Sequence, residues 1–319
     1  MSDDSNNYDD GDFDATEILG SIERLTKDLK NAAVTLSEHE VRFLVDAYYA
    51  MQKDRIRGAH QTRTLAQSNE PHTILSWLTG QRGKLEKQIA RAMDVYSDSQ
   101  PAGRWARSIV GIGPIISSGL IANIYMGDWC SVCHGRNEDI HNKLIELKKF
   151  KEHPWQSEMS CPTVGHIWNY AGLNPDISWE RGQKRPWNGS LKRLSWIIGE
   201  SFVKVSGRPN DVYGKMYQER KAYETAKNDA FEYAEQAKAA LTKKRFGDDT
   251  IAKKFYLQGL LPPGHLHSRA KRYCVKIFLS HLHYVMFELK YGKRPPKPFA
   301  IEHLGHTHEM VPPNWPIAK

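Results

Sequence analysis

An all-α helical bundle is the fold class this sequence predicts, on three observations. Apolar residues recur at i, i+3, i+4 and i+7 through most of the chain, the spacing of one helix face. No segment alternates apolar and polar residues at period two, as a half-buried strand would. Two short apolar segments flank a step of glycines, Val110-Gly111-Ile112-Gly113-Pro114, which reads as a hairpin between helices.

Residues 1–18 form an acidic, polar tail with almost nothing to bury, and disorder is expected there. Residues 19–100 read as an N-terminal helical region. Ile22, Leu25, Leu29 and Ala32 mark one helix. Ser37 and Glu40 form a capping-box pattern ahead of Val41, Leu44, Val45 and Tyr48. The polar stretch from Gly58 to Pro71 is expected to end that helix. Leu85, Ile89, Ala92, Met93 and Tyr96 make residues 82–96 an amphipathic helix, suited either to a bundle or to a short coiled coil through which copies self-assemble. Residues 101–210 hold the glycine hairpin and an aromatic, basic segment. Residues 211–295 carry the C-terminal helices, one long and charged over 211–245 and another over 266–290. Pro295, Pro296 and Pro298 stop the last helix, and 296–319 is an extended tail lying over the surface.

Composition narrows the function. The chain has 319 residues, 40% hydrophobic and 26% charged, which is globular. No apolar run approaches the 18 or so residues of a membrane span. The polar, acidic start is not expected to be a secretory leader. Four cysteines in a chain this long do not make a disulfide framework, so a reducing, intracellular setting is expected, cytoplasmic or nucleoid-associated. The net charge of +8 hides an asymmetry. Asp3, Asp4, Asp9, Asp10, Asp12, Asp14 and Glu17 fall in the first 18 residues, which contain no Lys or Arg, so the remaining body carries +15. Such a body favours a polyanionic partner.

The hairpin offers one way to hold that partner. Glycines allow a tight turn and let a phosphate approach the backbone N–H groups that open the second helix. Gly111 and Gly113 with the N–H groups of Ile115 and Ile116 are the natural contacts, because Pro114 has no N–H to give. This is the pattern of a helix-hairpin-helix DNA-binding motif; the alternative is an ordinary tight turn in a bundle. Such contacts hold DNA without reading its sequence.

A second candidate is the segment from Ser178 to Arg193. Arg181, Lys184, Arg185, Lys192 and Arg193 lie in it with no acid from Arg181 onward. Gly182, Pro186 and Gly189 indicate a loop, with a helix starting near Ser190. The cations suit phosphates, and Trp179 or Trp187 suits stacking on an unpaired base, unless these indoles are core anchors as Trp168 is expected to be. A third is the last helix, where Arg269, Arg272, Lys276 and His283 are expected to share one face opposite Ile277, Val285 and Leu289.

Metal is not expected, nor any other cofactor. Cys130-x-x-Cys133 has the spacing of half a zinc knuckle, with Cys161 and His166 as the other half. The 27 residues between the pairs are long for such a knuckle and favour free thiols. His303-x-x-His306-x-His308 near the C-terminus fits surface packing better than a metal.

The motifs in order carry a resemblance. Gly111-Ile112-Gly113-Pro114, then Tyr170-Ala171-Gly172-Leu173-Asn174-Pro175, then the Gly-rich basic loop, then Asn188-Gly189-Ser190-Leu191-Lys192-Arg193-Leu194, are similar to the C-terminal domain of the insertion-sequence 110/116/902 family of transposases. The likeness runs over roughly residues 82–205. It implies a DNA-binding helical domain, and a serine nucleophile in the loop after the Gly172-Leu173 turn, for which Ser178 is the nearest match. The family's N-terminal RNase-H-like nuclease half, with its four metal-holding acids, has no counterpart in the first 80 residues. The expected function is therefore DNA binding, on duplex or branched DNA, without autonomous nuclease activity. A recombinase acting through Ser178, a structural protein of a nucleoprotein particle, and RNA as the ligand are the alternatives.

Overall fold

The structure is a computed structural model that describes residues 27–68, 73–127, 129–130, 142–143, 145–147, 159–160, 163–243, 245–295 and 311–316. The expectations for the acidic tail, Cys133, Cys161, the 303–308 histidines and residues 296–310 lie outside these. The described residues are all-α apart from one two-residue antiparallel ladder, β1 (Trp129–Cys130) with β2 (Met159–Ser160). None of their helices is long and apolar enough to cross a membrane.

The chain divides into two compact units. The first comprises residues 1–36 and 43–96, the second 37–42 and 97–319. In the first unit, α1 (Lys27–Ala32) and a 3-10 turn (Ala33–Thr35) precede residues 43–67 of α2 (Glu38–Gln67) and 73–96 of α3 (Thr73–Ser99). The polar stretch expected to break α2 at Gly58 does not; the helix runs on to Gln67. Its seam with α3 is polar. Arg55 donates to both carboxylate oxygens of the buried Glu86, at 2.6 and 3.2 Å. Gly58 faces Thr79, whose hydroxyl lies where a Cβ would go, so a glycine is needed for the close approach. Ile74, Leu75, Leu78 and Leu85 of α3 stay exposed.

The second unit holds α4 (Pro101–Arg107), α5 (Pro114–Asn123), α6 (Val164–Tyr170), α7 (Gly189–Val205), α8 (Tyr213–Asp229), α9 (Ala234–Lys243), α10 (Ile251–Leu257) and α11 (Pro263–Tyr291). The expected regions 101–210 and 211–295 are not separate bodies, because α11 packs on α4, α6, α7 and α8 together. α7 explains itself in one dimension. Asn188 caps it by accepting from Leu191 N at 2.8 Å, and Leu191, Leu194, Ile198, Phe202 and Val205 bury one stripe. That stripe meets α11 in an aromatic core. Trp105 stacks on Phe278 at 5.8 Å, Phe202 on Tyr213 at 4.8 Å, and Phe278 meets both Phe202 and Tyr213 edge-on. Gly292 ends α11 in the left-handed region, φ 64°.

The long helix expected over 211–245 is two helices. α8 stops at Asp229 and α9 starts at Ala234, with Phe231 between them at φ 59°. The capping box at Ser37 forms as read: Ser37 N donates to Glu40 Oε2 at 2.8 Å, and Glu40 N to Ser37 Oγ at 3.3 Å.

Candidate nucleic-acid interface

The glycine step lies between α4 and α5 as a tight turn. Ser108 N bonds Arg104 O, and Ile112 N bonds Ile109 O at 3.0 Å. Gly111 carries the positive φ, 96°, and its missing Cβ leaves room for Ser201 Oγ and Val205 on α7. Its carbonyl accepts from Ser201 Oγ at 2.5 Å. Gly113 is different: its φ of −95° and ψ of 177° are extended backbone, and a Cβ there would meet nothing within 4 Å. The reading of Gly113 as a conformationally required glycine is thus corrected; that requirement belongs to Gly111. Gly113 is the N-cap of α5 with Pro114 next, so the N–H groups of Ile115 and Ile116 fall in the first turn, which has no intrahelical acceptors. Both isoleucine side chains are buried, which leaves only their backbone for a ligand.

The C-terminal segment reaches this turn. Trp105 Nε1 donates to Pro313 O at 2.8 Å, and Asn314 Nδ2 donates to Ser108 O at 3.1 Å. Trp315 Nε1 donates to Glu288 at 3.1 Å, which ties the same segment to α11. The basic residues of α4 are engaged: Arg104 donates to Asp98 O at 2.7 Å and Arg107 to Asp98 Oδ1 at 3.3 Å.

A second station forms about 14 Å along α7 from the turn, nine residues at 1.5 Å each. Here three elements converge. The loop supplies Arg185, α7 supplies Lys192, and α11 supplies Arg272 and Lys276. Lys192 Nζ lies 3.5 Å from the Trp187 ring centre, and Lys276 Nζ lies 4.2 Å from that of Trp168, which itself donates to Lys276 O at 3.0 Å. Gly172, at φ 63°, makes room for the Lys192 stem and the Trp187 ring. Tyr170 fixes the loop end: its carbonyl accepts from Asn188 N at 2.9 Å and its hydroxyl from Asn188 Nδ2 at 2.8 Å.

The cations of this seam oppose one another. Desolvation, then Arg185 and Arg272, hold the Lys192 ammonium below its ordinary pKa. Desolvation and Arg272 do the same to Lys276, against a weaker pull from Asp176. Desolvation and Arg269 lower Arg272, against a weaker pull from Glu224. Among the described residues no carboxylate forms an ion pair with Arg185, Lys192, Arg272 or Lys276. Arg181, Lys184 and Arg193 are exposed. Arg185 leans over Trp179 at 5.3 Å, and Trp179 Nε1 is pinned to Gln183 O at 2.7 Å.

Other expected residues fall elsewhere. Arg269 is occupied: its Nε donates to Glu224 at 2.7 Å, its NH1 to Gln236 at 3.2 Å, and its guanidinium covers Tyr233. Burial alone would raise the Glu224 carboxyl, but hydrogen bonds from Tyr233, Arg269 and Arg220 hold it below its ordinary pKa. Arg269 therefore serves the fold and not an open basic face. His283 is buried, so it does not extend that face either, whereas Leu289, expected opposite, is exposed. Ser178 is exposed in the loop, with no histidine or carboxylate hydrogen-bonded to it among the described residues. A serine hydroxyl without such a base is a weak nucleophile.

Of the zinc candidates, Cys130 lies in β1, and His166 is used in a cap. Thr163 N donates to His166 Nδ1 at 3.2 Å, and His166 N donates back to Thr163 Oγ1. No cluster of three metal-ligating side chains occurs among the described residues. The residue the sequence reading missed is Trp196, on α7 one turn beyond Lys192 and 63% exposed. Its spacing from Lys192 was the available signal. Comparison of the chain with protein-family models, with curated proteins and with solved structures finds no match.

Proposed function

We propose that this chain binds DNA, with the seam of Arg185, Lys192, Arg272 and Lys276 as its principal phosphate contact and the α4–α5 turn as a second, sequence-independent one. The observation that carries this reading is electrostatic. Four cations from three elements are drawn together, three of them against indole rings, without an ion-paired acid, at a cost to the fold that a polyanion repays. The two stations lie well within one turn of duplex, about 34 Å. The basic composition and the ordered likeness to the transposase C-terminal domain support the same reading, and under it the chain holds DNA while any strand chemistry comes from a partner protein.

The test is Lys192→Gln combined with Arg272→Gln, which keeps the lysine stem on Trp187. Affinity for duplex DNA should fall, and the log–log dependence on salt should flatten by roughly 1 to 2, about 0.9 for each phosphate no longer neutralised. Thermal stability should hold or rise, since the variant relieves like-charge repulsion. Unchanged affinity and slope in a folded variant would remove the seam from the binding surface.

A further inference from the structure

Trp196 has no role in the core. It projects from α7 with 63% of its surface exposed, far more than an indole leaves open when it packs against its own protein. Lys192 lies four residues earlier on α7, about 6 Å along the axis and on the same side of the helix. Behind the ring, Lys271 of α11 bridges to Glu200, and its Nζ stands 5.9 Å from the Trp196 centre. Arg272 follows Lys271 directly, and a Cβ at Gly199 would just touch Lys271 and Val275 at 3.4 Å, so α11 lies against α7 at this point. At the other end of the seam stands Trp179, 37% exposed and fixed by its bond to Gln183, with Arg185 against it. Trp179 thus stands against Arg185, and Trp196 stands one helical turn beyond Lys192, so exposed indoles border the cations.

Duplex DNA offers phosphates to such a surface but no base faces, because its bases are stacked on one another. An unpaired strand offers both. A run of cations bordered by an exposed indole suits the second, with phosphates on the cations and a base on the ring. We propose that the seam selects unpaired DNA strands, and that Trp196 is the stacking platform that makes the selection. This rests on the reading of the seam as a DNA contact and adds the strand state that it recognises.

The experiment compares three labelled probes of about 12 units each: oligo-dT, a deoxyribose-phosphate strand of the same length with no bases, and a duplex. The parent protein should bind oligo-dT about 5- to 150-fold more tightly than the abasic strand, the value of one stacked base. Trp196→Ala should lose most of that preference, while Trp196→Phe keeps most of it and duplex affinity moves less than about twofold. Because Trp196 is exposed, neither variant should disturb folding. Equal binding of oligo-dT and the abasic strand by the parent, or an undiminished preference in Trp196→Ala, overturns the proposal. The Lys192→Gln, Arg272→Gln variant separates the two layers. If it weakens all three probes while Trp196→Ala changes none, the seam stands and stacking falls. If it weakens none, the seam falls and the selection falls with it.

Discussion

Gly111 and Gly113 are interchangeable as letters in a Gly-x-Gly step and unlike in the folded chain. A side chain at Gly111 must enter the left-handed region and press within 3.1 Å of Ser201 Oγ and Val205. Gly111→Ala should therefore cost about 1–3 kcal/mol, read as a fall in denaturation midpoint. Gly113 is extended with open space where its Cβ would be, and it caps α5. Gly113→Ser should leave stability unchanged or slightly raised, because serine is a good N-cap, while weakening DNA binding by crowding the Ile115 and Ile116 N–H groups. A Gly113→Ser protein that binds as the parent does would take the turn out of the interface. The sequence located this turn because glycine spacing is a local signal. It did not say which glycine was required, since that depends on α7 packing from ninety residues away.

At the level of elements, the start of α7 near Ser190 was legible from its flanking glycines and proline, and the stripe of Leu191, Leu194, Ile198, Phe202 and Val205 that it buries follows helical spacing. The break between α8 and α9 was not. Helices usually stop at a glycine in the left-handed position, and here Phe231 holds it, at φ 59° and 57% exposed. Nothing in an Ala-, Lys- and Glu-rich run announces a stop made by phenylalanine. Phe231→Gly should relieve that conformation and stabilise the protein by about 0.5–1 kcal/mol, measured by urea denaturation, the small loss of ring packing near Gly259 notwithstanding. A destabilised variant would mean that the ring's packing outweighs its backbone strain. The face assigned to α11 failed for a related reason. Fourteen residues at 3.6 per turn leave His283 about 40° out of line with Arg269, and a helix packed on four neighbours buries residues over much of its circumference. Arg272 and Lys276, one turn apart, stayed together; Arg269 was drawn off by the buried Glu224, a partner invisible to helical periodicity.

Over the whole second unit, the loop and the last helix, which looked like separate candidates 80 residues apart, form one surface because α11 packs on α6 and α7. That convergence has a consequence in protons. Lys192 and Lys276 are held below their ordinary pKa, chiefly by desolvation and then by neighbouring cations. In the free protein the unfolded chain thus binds these protons more tightly than the folded one, and stability rises with pH between the lowered pKa values and the ordinary lysine value. A bound phosphate reverses the balance, since an anion favours the ammonium and raises both pKa values. Binding should accordingly take up protons on the alkaline side of neutrality. Calorimetry at about pH 9, in two buffers of different ionisation enthalpy, should give binding enthalpies that differ in the sense of net uptake. Lys192→Gln with Lys276→Gln should abolish that difference. Identical enthalpies in both buffers for the parent protein would show that no phosphate reaches these two lysines, whatever else on the surface holds the strand.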